Sequence, residues 1–142
     1  MDRSMKGLTP SELILARVRA LREADYGLVF DSYHSTAMFR QQFQERDEYI
    51  RFGWAHLGKN FRIRQCRILQ TDPSQPQARV IFYVEMEVAG QPRAYAEMAC
   101  LQQEGGQWRY ICGQKIEAAE LPCPLEEVDF DTFERIEQKV IF

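Results

Sequence analysis

The stretch from Ala78 to Glu117 alternates polar and apolar side chains through three consecutive segments, ARVIFYVEMEV, RAYAEMACLQ and QWRYICGQKIE, joined at Gly90-Gln91 and Gly105-Gly106. A period of two marks strands with one buried face, and joints this short make the strands antiparallel neighbours. Gly90 suits the first central position of a type II′ turn and Gly105-Gly106 suits a type I′ turn, because both demand positive φ. With two-residue loops, Glu97 lies opposite Val84 and Gln114, Tyr95 opposite Met86, Ala99 opposite Phe82 and Cys112, and Leu101 opposite Tyr110. Phe82, Val84, Met86, Leu101, Trp108 and Tyr110 then share a core face, with Tyr95 and Glu97 among them. Ile81, Tyr83, Met98, Cys100 and Ile111 occupy the other face. A slip of one residue would exchange the two sets.

Helices precede this block. Thr9, Pro10 and Glu12 read as N-cap, first helical residue and capping-box partner, with Ile14, Val18 and Leu21 as the buried stripe and Arg17, Arg19 and Arg22 as a solvated edge. Asp25 can cap a short second helix, DYGLVFDSY, ending near His34-Ser35-Thr36. A longer third helix is expected from Met38 to Leu57, stopped by Gly58. A first strand, FRIRQCRILQ, follows. After the β block the segment AAELPCPLEEVDF should be extended, and DTFERIEQKVIF should form a last helix starting at Asp131.

Helices, four strands and a final helix make an α+β domain. A twisted antiparallel sheet wrapped around the N-terminal helices gives a cone, with those helices on its concave face. The 142 residues, 45% hydrophobic, suit one domain, with the cone over 9–117 and a C-terminal extension and helix over 118–142. A formal charge of −3 offers no basic excess for nucleic acid. No apolar run approaches the roughly 20 residues of a membrane span, and the opening MDRSMKGLTP lacks an apolar signal core, so a cytoplasmic location is expected. Cys66, Cys100, Cys112 and Cys123 form no C-x-x-C pair, which reads as reduced core thiols, without a zinc site built on them with His34 and His56. The register points Cys100 and Cys112 to opposite faces, which speaks against a disulfide.

Glu12-Leu13, Ala16-Arg17, Ala20, Ala24-Asp25-Tyr26 and Ser32-Tyr33-His34-Ser35 resemble the middle domain of the YchJ family, with its Leu-x-x-Arg-x-x-x-Ala helix, Asp-Tyr step and Trp-His-Pro turn. Ala96-Glu97 and Gly106 to Gly113 resemble that family's last hairpin. The resemblance spans about residues 9 to 117 and implies a nuclear-transport-factor-2-like fold. It implies no firm activity, since the wider superfamily holds isomerases, dehydratases and plain binding or dimerisation modules. The family's flanking SEC-C motifs have no counterpart here, its Trp-His-Pro is Tyr33-His34-Ser35, and the Ser-Arg expected after its Glu is Ala99-Cys100, which removes a charge partner for Glu97.

The candidate pocket residues are Tyr33, His34, Trp54, Tyr95, Glu97, Trp108 and Gln114. A carboxylate on an apolar face has its pKa raised by desolvation, into the range of proton transfer, and Tyr95 could donate to a developing oxyanion. Glu97, Tyr95 and His34 are therefore the catalytic candidates for a cofactor-free isomerase, dehydratase or hydrolase of a small organic molecule. The preferred reading is non-catalytic: Glu97 caps a helix terminus or pairs with Arg40, Arg51 or Lys115, in a small-ligand-binding or protein-interaction module without cofactor or metal. A third reading is an accessory domain that needs a separately encoded partner. The second sheet face is too apolar to stand in water, so either the C-terminal helix or a second subunit covers it, and a homodimer through that face is the favoured expectation.

Overall fold

The computed structural model describes residues 5–142. Helix α1 (Pro10–Arg22) starts as its sequence dictates, with the Thr9 hydroxyl accepting the Glu12 N–H at 3.3 Å and the Glu12 carboxylate accepting the Thr9 N–H at 2.9 Å. Asp25 caps α2 (Tyr26–Asp31), accepting from the Leu28 N–H at 3.3 Å. The single long helix expected next is broken. Helix α3 (Met38–Gln42) ends at Phe43, whose extended backbone leads into α4 (Arg46–Phe52), a π-helical turn over Gly53–Leu57 and the short α5 (Gly58–Asn60). Charged residues at 45–48 give the helix no apolar stripe there, and aromatic packing decides the geometry: Phe39, Phe43 and Tyr49 close on one another across the break at 4.9–5.3 Å.

Strands β1 (Phe61–Asp72), β2 (Gln77–Val88), β3 (Gln91–Glu104) and β4 (Gln107–Glu117) form an antiparallel meander, and β5 (Val140–Ile141) pairs with β4 at its edge. The expected register needs two corrections. The first hairpin turns at Ala89-Gly90, both at positive φ, so Glu97 faces Phe82 and Tyr95 faces Val84. That shift of two leaves every side chain on its expected face. In the second hairpin Leu101 faces Tyr110 as expected, but a bulge at Ile111 sets Cys100 opposite Cys112 and Glu97 opposite Lys115. From there on β4 is inverted. Lys115 joins the concave face, while Gln114 leaves it.

Leu13 and Ile14 of α1 pack into the concave face against Val80, Phe82, Val84, Ala99 and Leu101. The Arg22 guanidinium ties the helix end to β1, donating to the Ile63 and Arg64 carbonyls at 3.2 and 2.7 Å. On the convex face, Ile81, Ala96, Met98, Cys100 and Ile116 are covered by Val128 and by Phe133 of α6 (Phe130–Arg135). The cover expected from either the C-terminal helix or a second subunit is thus supplied by the chain's own C-terminal segment. Helix α6 is shorter than expected and is capped two residues earlier, at Asp129 rather than Asp131, because Asp129 and Thr132 make the capping box. The rest of that segment turns back as β5. No described helix is long and apolar enough to cross a membrane.

Candidate functional site

Two places in the cone gather groups of chemical interest. The first is a buried polar hub. Glu97, only 7% exposed, projects from the middle of β3 into the concave interior. Its Oε2 accepts the Tyr110 hydroxyl at 2.8 Å. Tyr110 faces inward because it precedes the bulge, and Gly113 follows it because any Cβ there would run into the Tyr110 hydroxyl and lie 3.2 Å from Glu97 Oε2. Arg17 reaches down from α1. Its guanidinium lies 4.5 Å from the Tyr33 ring centre and 4.2 Å from that of Tyr110, and donates to the Ser32 hydroxyl and to the Tyr33 hydroxyl. Burial disfavours the Arg17 charge, but Tyr33, Tyr110 and Glu97 together more than offset it.

Burial pushes the Glu97 carboxyl up to about 6, against the Tyr110 hydrogen bond and the positive charges of Arg17 and Lys115, which pull it down. The Lys115 ammonium sits 4.7 Å from the Tyr95 ring centre. Burial, then the Glu97 charge, raises the Tyr95 phenol well above its ordinary value. Phe142, held to Gly113 by two backbone hydrogen bonds of 2.8 and 2.9 Å, stacks its ring against Tyr110 and closes that side of the interior.

The second place is an open pocket of about 440 Å³ at the mouth of the cone, between the end of α1, the π-helical turn and the start of β1. Tyr26, Trp54, Leu57, Phe61, Ile63 and Met86 line it, with Arg22 and Arg62 at the edge. Trp54 is 61% and Phe61 44% exposed, an unusual position for two large rings unless something covers them. The π turn supports this arrangement. Gly53 lies against the face of the Tyr26 ring with no room for a Cβ, which brings Trp54 edge-on to the same ring at 5.8 Å.

The residues singled out in the sequence are therefore scattered. Tyr33, Tyr95 and Glu97 meet at the hub, Trp108 is part-buried at the edge of the same concave core, and Trp54 lines the mouth. His34 is elsewhere. Its Nδ1 engages Thr36 N–H and Oγ1 at 3.1 and 2.8 Å, and its Nε2 lies 4.0 Å from Glu104, seven residues along β3 from Glu97, or about 23 Å at 3.3 Å per residue. Gln114, on the convex side of the bulge, has a buried Oε1 without a hydrogen-bond partner. Arg17, expected at a solvated edge, instead shares the helix face of Leu13, Ile14 and Leu21 and points into the hub. That spacing was the available signal for it, as an isolated glycine in a strand, Gly113, was for the bulge. Among the described residues no group of three or more His, Cys, Asp or Glu side chains is placed to hold a metal ion.

The model of the YchJ middle NTF2-like domain matches residues 9–113. The chain belongs to this family. A similar fold appears in the solution structure of RPA3114, a SEC-C motif containing protein from Rhodopseudomonas palustris. It is 15% identical, covers 74% of this chain and 77% of its own, and superposes with a TM-score of 0.59, a likeness of fold. No curated protein matches. The YchJ-like match ends at Gly113, so β5 and α6, which close the cone and cover its convex face, lie outside the matched residues.

Proposed function

We propose that this YchJ-like domain is a non-catalytic module that binds a small, largely apolar ligand at the mouth of the cone. The observation that carries the reading is the pair of exposed rings, Trp54 and Phe61, lining a pocket of about 440 Å³ whose other walls include Tyr26, Leu57, Ile63 and Met86. The volume is that of a typical small-molecule site, and a mostly apolar wall with a few polar groups at the edge is its usual chemistry. Arg22 and Arg62 at that edge favour a ligand with one anionic group. The interior carboxylate supports the same reading from the other side, since Glu97 is enclosed and already holds the Tyr110 hydroxyl.

The test uses 8-anilinonaphthalene-1-sulfonate, an aromatic anion. It should brighten on binding, shift the indole N–H resonance of Trp54 and leave that of Trp108 in place, and Trp54→Ala should weaken it at least tenfold. Binding that ignores Trp54→Ala, or no binding, overturns the reading. One observation favours a second reading, proton transfer by Glu97: its carboxyl is pushed up to about 6 beside a hydroxyl donor. A carboxyl-carbon titration of Glu97 that moves when a small carbonyl compound is added would support that reading instead.

A further inference from the structure

We propose that Cys100 and Cys112 form a cross-strand thiol pair that a hydroperoxide converts into a disulfide. The two residues are direct partners in the β3–β4 ladder, and the bulge at Ile111 turns Cys112 onto the convex face that Cys100 occupies. Directly opposed residues of an antiparallel pair have Cα atoms about 4.5 to 5.5 Å apart, inside the range of about 4.4 to 6.8 Å that a disulfide spans. Both are free thiols; Cys100 is buried and Cys112 part-exposed. The neighbouring Cys100 thiol lowers the Cys112 pKa against the effect of burial. Cys66 offers the contrast: it lies among the concave core residues, and burial pushes its thiol up to about 11.

The chemistry balances. The Cys112 thiolate attacks one oxygen of the hydroperoxide, forming a sulfenic acid and releasing the other oxygen as an alcohol, or as water from hydrogen peroxide. Cys100 then attacks the Cys112 sulfur, loses its proton and expels the sulfenic oxygen as water. Two thiols are oxidised and one peroxide bond is reduced. The product closes the short hairpin loop between the two strands and pins the bulge that brings Lys115 onto the concave face with Glu97.

The folded full chain is treated with hydrogen peroxide, its remaining thiols are blocked with N-ethylmaleimide, and the tryptic peptides are weighed. Cleavage after Arg109 separates the two cysteines. The expected product is one intramolecular link between their peptides, lighter by two hydrogens, with Cys66 and Cys123 alkylated. Cys123→Ser should retain the link, and Cys100→Ser should leave a sulfenic acid on Cys112 that dimedone labels. Both cysteines alkylated after peroxide, a link from Cys112 to Cys123, or a link between chains would each overturn the proposal.

Discussion

At the scale of single residues, Glu97 is where the fold and the solvent pH meet. Its carboxyl is held at about 6 rather than 4.5, because burial disfavours the anion more than Tyr110, Arg17 and Lys115 favour it. The folded chain therefore binds the Glu97 proton more tightly than the unfolded chain. The stability linked to it is fully present below 4.5 and is lost as the pH rises through about 6. At about 1.36 kcal/mol per pKa unit that interval corresponds to about 2 kcal/mol. Glu97→Gln removes the titration and keeps an oxygen for the Tyr110 hydroxyl. Denaturant unfolding should show wild type losing about 2 kcal/mol relative to Glu97→Gln between pH 4.5 and about pH 7, and equal slopes for the two proteins would contradict the assignment.

At the scale of elements, the bulged strand β4 joins the hub to the C-terminal tail, and Gly113 is its tightest point. A Cβ on Gly113 would displace the Tyr110 hydroxyl and meet the Phe142 ring at 3.1 Å. Gly113→Ala should therefore cost about 1–3 kcal/mol, the range for overpacking a close-fitted site. It should also release the β5 end, seen as faster amide exchange at Phe142, whose N–H donates to the Gly113 carbonyl. Faster exchange without loss of stability would mean that the tail alone is held there.

The strand also marks how far the sequence could be read. Helix α1 was legible because Thr9, Pro10 and Glu12 specify its start by local chemistry. The faces of β2 and β3 were legible despite a misplaced turn, since a shift of two preserves sidedness. The bulge was not, because two-residue loop geometry carries no information about an extra residue further along the strand. One unseen residue at Ile111 put Gln114 on the wrong face, hid Lys115 from the hub and separated two cysteines that are partners.

At the scale of the whole molecule, two cores lie back to back on one sheet beside an aromatic cluster among the helices, and the convex core depends on the C-terminal segment. Phe133 is fully enclosed against Ile81, Met98 and Ile116. The homodimer expected through this face would need that segment to lift away first, so self-association there would compete with C-terminal packing for the same apolar surface. Phe133→Ala weakens the cover from within, at a cost of about 3–5 kcal/mol for a buried phenylalanine. It should make sedimentation concentration-dependent, with heavier species appearing as the sheet face opens. Lower stability with an unchanged sedimentation profile would mean that Val128 and the part-buried Phe130 still cover the face without Phe133. Association in Phe133→Ala but not in Glu97→Gln would place the surface on the convex side, because only the first variant alters that core.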